Sequence, residues 1–429
     1  MKPIILTMAL LGLGAAYSQQ AKHAAPAPPR AGPPIGDIPH ADISACLPPA
    51  DVSAQLPQYA AEQLPFFDSY SWKAFAALVC DGSTGQRDFA GPRTGDGPRI
   101  FETYKSAWEI FHAGTVTTDF DRREDPRYNP CGPQASDGAL IIASPTKFVD
   151  IEEVGLAGVF FGPLPAQNHT YVHYLTQFNR QSFDYLTKVL AANTTTGINF
   201  PVGSLNVKSA WVEMSGLDAK RFYTRKAWIR TSASGCTETT VGLVGLHIVQ
   251  KTPLNPNWIW STFEQVDNAP DDPGPACKSV APHTFHNSKC DRMPTPPNIP
   301  SNDPYAAPKN VYNVVRAPFI STLTGKANGA YQAKLANSVW KNYELVMTQW
   351  QLPNSAHTFP DIETSASAFA NTVMETFLQG GKQALTCMAC HGQSGSDSVW
   401  ALQVERLQSR KAALDKLKMI FSKSGIQVR

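Results

Sequence analysis

The chain has 429 residues, of which 42% are hydrophobic, 17% charged and 10% aromatic, and its formal net charge is +2. This composition excludes a disordered or fibrous chain. Because 37 Lys and Arg are nearly balanced by 35 Asp and Glu, no overall field attracts a polyanion, and we do not expect a nucleic-acid partner. The length predicts about two or three structural units at roughly 150 residues each.

The N-terminus has the features of a secretory signal peptide. Lys2 precedes an apolar run from Ile4 to Leu13, and Ala16-Tyr17-Ser18 offers small residues to a signal peptidase. The run is shorter than the ~20 residues of a helical membrane span. We therefore predict that residues 1–18 are removed on export to the periplasm and that the mature chain has no transmembrane segment; an uncleaved anchor is the alternative. Residues 19–45 are rich in Ala and Pro, which predicts an extended tether.

Residues 46–360 are predicted to form a domain that mixes helices and strands. Helical spacing occurs in three stretches: Trp72 to Leu78, Phe101 to Phe111 and Tyr171 to Leu190. Strand-like stretches, rich in β-branched and aromatic residues, are Val207 to Met214, Arg221 to Thr231, Thr239 to Val249, Trp258 to Val266 and Val339 to Trp350. The predicted fold class is α+β, with an antiparallel sheet flanked by helices on one side. The proline-rich residues 267–310 are too irregular for regular elements.

The motif with the clearest chemistry is Cys387-Met388-Ala389-Cys390-His391. In a C-x-x-C-H sequence two thiols add to the vinyl groups of a haem, and the adjacent imidazole becomes the proximal iron ligand. The sequence therefore predicts one covalent haem c, with Cys387 and Cys390 as thioethers and His391 as the metal ligand. Three alternatives are a thioredoxin-like redox pair, a zinc site with His283 and His286, and a plain disulfide.

Behind a signal peptide, Cys387 to His391 resembles the attachment site of a monohaem c-type cytochrome of the bacterial periplasm. The stretches Gly245 to Val249 and Trp258 to Glu264 are more loosely similar to large proteins of the cytochrome c family with a C-terminal C-x-x-C-H. The resemblance implies haem attachment outside the cytoplasm and supplies no substrate. Dihaem peroxidases of this compartment carry two such motifs, whereas this chain has one, which argues against membership of that family.

The predicted haem c-binding segment, residues 361–429, departs from small cytochromes because few residues follow the motif. Ser365 to Leu378 and Ser398 to Ser422 have helical spacing, which predicts a short all-α segment. Two such helices cover too little of a porphyrin, whose faces are large and apolar. The upstream domain must therefore close the distal side, or that side is open to small ligands.

Several residues are candidates for the distal side of the iron. His247 lies in the apolar run Val241 to Val249, which predicts burial in a central strand, either as an iron ligand, as a distal hydrogen-bond donor with Trp260 and Glu264, or as a core histidine. Met374 and Met419 are weaker candidates. The remaining histidines considered, in proline-rich loops where exposure is expected, are His283, His286 and His357. A cluster of large aromatic residues indicates either a pocket or a core: Trp258, Trp260, Phe263, Trp340, Tyr343 and Trp350.

Six further cysteines are scattered, and export makes disulfides available to them: Cys46, Cys80, Cys131, Cys236, Cys277 and Cys290. The sequence leaves their pairing open; Cys277 with Cys290, within one loop, is a first guess that two unpaired thiols would equally explain.

Three functions remain open at this point. The first is an exported electron carrier; the second is a haem-c oxidoreductase, peroxidase- or oxygenase-like, with an open distal position; the third is a non-catalytic haem protein. Basic residues near the C-terminus favour an acidic redox partner protein, or form a solvated helix face: Arg406, Arg410, Lys411, Lys416, Lys418, Lys423 and Arg429.

Overall fold

The fold is described here from a computed structural model of the chain. The described residues are 43, 46–53, 55–57, 60–85, 97–111, 119–121, 130–133, 135, 139–142, 164–232, 235–272, 282–287, 297–298, 313–317, 319–351, 371–379, 387, 391 and 394–405. The predicted signal peptide and nearly all of the predicted tether lie outside them. None of the helices in these ranges is long and apolar enough to cross a bilayer.

A mixed, mostly antiparallel sheet of eight strands organises the described part of the chain. The strands are β1 Lys105–Ser106, β2 Leu140–Ile142, β3 Val172–Phe178, β4 Leu205–Glu213, β5 Thr224–Ser232, β6 Gly235–Gln250, β7 Ile259–Gln265 and β8 Tyr343–Trp350. The order is β1-β3-β4-β6-β5-β2, and β7 pairs with β6 and β8. The long strand β6 pairs with β4 along one edge, while β5 and then β7 pair with its other edge. Strand β2 runs parallel to β5.

The α-helices are α1 Ala60–Leu78, α2 Ala107–Ile110, α3 Arg180–Ala191, α4 Thr322–Lys334 and α5 Trp400–Glu405. The prediction of a mixed helix and strand fold with a largely antiparallel sheet is confirmed. The prediction that helices lie to one side is wrong, because α1 and α4 cover one sheet face and α3 packs on the other. The predicted all-α segment is not seen in the described residues beyond the short α5.

Local hydrogen bonds explain where the predicted helices and the observed elements differ. Tyr171 to Leu190, predicted as a helix, is β3 followed by α3, because the Asn179 side chain accepts from the Ser182 amide and starts α3 there. Phe101 to Phe111 is interrupted, since Glu102 and Glu109 each accept a backbone amide three residues back.

A similar local competition affects the segment before the motif. Residues 371–375 form turns and Thr376–Leu378 a 3-10 helix, so the described part of the predicted helix Ser365 to Leu378 is not α-helical. The Asn371 side chain accepts from the amides of Val373 and Met374, which competes with helical hydrogen bonding.

Aromatic side chains fill the core between the sheet and helices α1 and α4, which we call the helix face of the sheet. Trp72 of α1 packs edge-on to Phe263 with ring centroids 5.1 Å apart, and it stacks on Tyr331 of α4 at 5.4 Å. Trp340 and Tyr343 are also fully buried. Phe263, Trp340 and Tyr343 therefore belong to this core, as one of the two interpretations of the cluster predicted, whereas Trp258 and Trp260 belong to a second apolar cluster.

The opposite side, which we call the motif face, carries side chains that alternate with those of the core. Lys208 of β4 and Thr262 of β7 are the direct partners of His247 in β6, so all three share this face. Trp260, two residues before Thr262, lies on the same face. Residues 371–379 and 394–402 pack here, since both share apolar clusters with motif-face strands.

Two disulfides join distant parts of the described chain. Cys46 pairs with Cys80 at the end of α1, and Cys131 pairs with Cys236 in β6. Disulfides are typical of oxidising compartments. The guessed pair Cys277–Cys290 lies outside the described residues.

Removing the Cys46–Cys80 disulfide should destabilise the fold measurably. We expect the double variant Cys46→Ala, Cys80→Ala to lose about 2–4 kcal/mol in free energy of unfolding, because the 34-residue separation is no longer closed in the unfolded chain. Urea denaturation of both proteins under oxidising conditions measures this. Equal midpoints would contradict it.

Candidate functional site

The C-x-x-C-H motif reaches the motif face through Cys387 and His391; Cys390 lies outside the described residues. Cys387 is half-buried and packs against an apolar cluster. Members of this cluster near the motif are Val249, Trp258, Trp260, Val399 and Leu402. The motif is thus attached to an apolar part of the large domain rather than standing apart from it.

His391 has one ring nitrogen engaged with the backbone. Its Nδ1 lies 2.8 Å from the carbonyl oxygen of Ser398 and so must donate, and its ring centroid is 4.4 Å from that of Trp260. With the proton on Nδ1, Nε2 carries the lone pair. A carbonyl partner on the second nitrogen is the usual arrangement for metal-ligating histidines, because it fixes the tautomer and the ring orientation.

The turn that supplies the Ser398 carbonyl is fixed by charge and by hydrogen bonds. Asp397 and Ser398 both adopt left-handed backbone conformations, with φ of 53° and 66°. The Asp397 carboxylate accepts from Lys251 Nζ at 2.6 Å and from the Phe200 amide at 2.7 Å, and its backbone carbonyl accepts from Trp258 Nε1 at 2.9 Å. The strained turn is therefore held by the sheet domain.

The surroundings of His391 favour a neutral ring. The pKa of His391 is lowered from 6.5 to about 4, mainly by burial and to a smaller extent by His247 and Lys208, while the Ser398 hydrogen bond and Glu375 act in the opposite direction. The imidazole is therefore neutral at pH 7, which is the form that binds a metal.

A buried ionic cluster anchors residues 371–379 to the same face. Glu264 is fully buried and accepts from Arg316 Nε at 2.8 Å, while its other oxygen accepts from the Thr372 amide at 3.0 Å. Arg316 also contacts Asp271 and Glu344. Glu264 lies in the strand next to His247, as expected, and its oxygens bind Arg316 and Thr372, so its role in the described structure is to hold this segment in place.

His247 is buried in the central strand β6, as the sequence predicted. Its Nε2 makes no hydrogen bond to the described residues, and the Glu375 Oε2 atom lies 3.5 Å away, which is long for a hydrogen bond. Burial raises the pKa of Glu375, but its interaction with His247, the charge of Lys208 and the hydrogen bond from the Asn371 amide outweigh burial and hold this pKa below its ordinary value of 4.5. Glu375 is thus ionised at neutral pH beside His247.

The other sequence candidates have different surroundings. Met374 is fully buried in an apolar cluster, where its Cε would lie 3.2 Å from a Cβ added to Gly245. His286 was expected to be exposed, and this is wrong: it is buried, with Nδ1 2.9 Å from the Val314 carbonyl oxygen. His357 and Met419 lie outside the described residues. Within the described ranges, no group of three His, Cys, Asp or Glu side chains is arranged to hold a metal ion.

These residues fit a haem c in two respects. His391 presents an Nε2 lone pair beside an apolar cluster, and His247 presents a buried Nε2 that lacks a hydrogen-bond partner among the described residues. A haem iron takes its equatorial nitrogens from the porphyrin, so it requires no cluster of three protein ligands.

The chain matches no protein-family model, no curated protein and no solved structure.

Sequence reasoning missed most of the residues that hold this site together. Lys208, Glu375, Lys251 and Asp397 carry no motif, and their importance depends on strand register and on turns. Only the position of Lys208 could have been noticed, because this residue alternates with apolar residues in a predicted strand.

Proposed function

We propose that the protein is an exported monohaem c-type cytochrome of the periplasm that transfers one electron at a time. Cys387 and Cys390 would form the thioethers, and His391 would be the proximal ligand through Nε2. The haem, when bound, would supply reversible one-electron oxidation and reduction of its iron. The observation that carries the proposal is the Nδ1 contact of His391 with the Ser398 carbonyl, within a C-x-x-C-H sequence.

The residues around His391 would hold it in place and shield it in this proposal. Trp260 packs against the His391 ring and excludes water from it. The Lys251–Asp397 pair keeps the Ser398 carbonyl in position, because Asp397 precedes Ser398 in a turn that the sheet domain holds. Two disulfides support an oxidising compartment. An acidic redox partner stays part of the proposal through the basic residues after position 405.

A haem-c oxidoreductase is the second candidate, because polar groups lie near the motif. Lys208, His247 and Glu375 all act electrostatically on His391. Ionisable groups beside an open iron position would assist peroxide or oxygen chemistry. Rapid CO binding by a high-spin ferrous protein would favour this candidate over the carrier.

Replacing one thiol of the motif tests the covalent haem directly. The protein is produced with a haem c assembly system, and its haem is detected by peroxidase staining of a denaturing gel and by intact mass. We expect a stained wild-type band, with the mass of one haem added to the processed chain. Cys387→Ala should lose most of the stain, because only one thioether remains available.

The control for this experiment removes two cysteines that already form a disulfide. Cys131→Ala with Cys236→Ala should keep the stain and the added mass, since neither thiol belongs to the motif. A wild-type protein of bare chain mass would overturn the proposal, and so would an equal stain in all three proteins.

A further inference from the structure

We infer that His247 is the second axial ligand of the haem iron, opposite His391, so that the iron is coordinated by two histidines. This inference rests on the proposed haem c. It decides among the three roles that the sequence left open for His247, and it favours the electron carrier over the enzyme with an open distal position.

The position of His247 in the sheet is the first argument. His247 lies on the motif face, directly between Lys208 of β4 and Thr262 of β7. Asn371, which begins the anchored segment before the motif, donates to the Thr262 hydroxyl at 3.3 Å and to the Phe263 carbonyl at 3.0 Å. Trp260, two residues before Thr262, contacts the His391 ring. The strand neighbours of His247 thus contact both ends of the segment that carries the motif.

The unsatisfied nitrogen of His247 is the second argument. Its side chain is 10% exposed, and among the described residues its buried Nε2 has only the 3.5 Å contact with Glu375 Oε2, which is long for a hydrogen bond. A buried polar atom without a well-formed hydrogen bond costs about 1–3 kcal/mol, so such an atom in a central strand calls for an explanation. An iron atom would supply a close partner, since neutral imidazole is a common haem ligand.

Glu375 has a positioning role in this arrangement. Its Oε2 accepts from the Asn371 amide at 3.0 Å, and the Glu375 amide donates to the Asn371 carbonyl at 3.0 Å, so the carboxylate is fixed 3.5 Å from the His247 ring. Glu375→Gln keeps an oxygen that can accept from the Asn371 amide, so the ferric iron should stay low-spin in this variant.

Met374 is the strongest competitor for this position, and the structure argues against it. Its side chain is fully buried against Gly245, within a cluster that includes Val244 and Val373. A thioether satisfied by apolar contacts leaves no unpaired polar atom to explain. Lys208, the strand neighbour of His247, points its ammonium group at an aromatic ring instead: its Nζ lies 4.9 Å from the centroid of the Tyr174 ring, in a cation–π contact.

Spectroscopy of the haem-loaded protein tests the inference. We expect wild-type ferric protein to be low-spin, with the electron paramagnetic resonance signature of two imidazole ligands and without the near-infrared band of a Met–iron bond. His247→Ala should become high-spin, and its ferrous form should bind CO at least tenfold faster. Added imidazole should restore the low-spin spectrum in this variant, which a merely structural role of His247 would not produce.

The matched control is His173→Ala, which removes another buried strand histidine. His173 lies in β3 opposite Trp211, on the helix face, so its loss should leave the haem spectrum unchanged. A high-spin wild-type iron, a Met–iron band, or an unchanged low-spin spectrum in His247→Ala would each overturn the inference. A protein that binds no covalent haem would instead overturn the proposed function, and its bare mass distinguishes that result.

Discussion

Replacing Arg316 by Met is expected to lower the free energy of unfolding by about 3–5 kcal/mol, because it leaves buried carboxylates without their cation. Arg316 is 7% exposed and binds Glu264, Asp271 and Glu344. Glu264 has no exposure at all and also holds the Thr372 amide. The variant should therefore loosen residues 371–379 from the motif face as well as destabilise the sheet. Urea denaturation measures the first effect, and hydrogen exchange at Thr372 the second.

The control is Arg221→Met, which removes an ion pair at the surface. The side chains of Arg221 and Asp267 are 46% and 31% exposed, so solvent screens their attraction and the loss should stay below about 1 kcal/mol. Equal losses in the two variants would contradict a special role for the buried cluster. Since burial raises the pKa of Glu344 to about 7, the cost of Arg316→Met should also be smaller at pH 5, where this carboxyl is protonated, than at pH 8.

The strands of the large domain could be predicted well from sequence because their burial is encoded locally. Thr239 to Val249 and Trp258 to Val266 alternate or run apolar in the way that a covered sheet requires, and both are strands. The same reasoning failed for Tyr171 to Leu190. The apolar residues of this stretch fit the spacing of a helix as well as that of a strand, and a single side chain, Asn179, sets the point where the strand ends and the helix begins. Helix α4 was not predicted because its apolar residues show little helical spacing. In the structure its start is marked by the Ser321 side chain, which accepts a hydrogen bond from the Thr324 amide.

Some residues of the candidate site could likewise be predicted from the sequence around them, whereas others depend on partners far away in the chain. The motif residues Cys387, Cys390 and His391 are adjacent in sequence, and their chemistry depends on spacing alone. His247 could be selected because a histidine inside an apolar run is conspicuous. Glu375 and Asp397 could not, because each acts through a partner more than 100 residues away, which strand register brings close.

Burial of Asp68 should make the protein lose stability as the pH rises from about 4 to about 7. Asp68 lies in α1 with no exposure, its Oδ1 accepts from Thr348 Oγ1 at 2.8 Å, and its Oδ2 has no hydrogen-bond partner among the described residues. Burial raises the pKa of Asp68 from 3.8 to about 7, although hydrogen bonds from Thr324 and Thr348 oppose this. The folded protein therefore keeps a proton that the unfolded chain has already released.

The sign follows from this linkage: the stabilising contribution is complete below pH 3.8 and is lost as the pH rises through about 7. A shift of about three pKa units corresponds to about 4 kcal/mol. Relative to wild type, Asp68→Asn should gain about this much free energy of unfolding between pH 4 and pH 8, because the amide cannot ionise. Urea denaturation across this range measures the difference, and Asp184→Asn, exposed on α3, is the control. Parallel curves for wild type and Asp68→Asn would show that Asp68 is already ionised inside the fold.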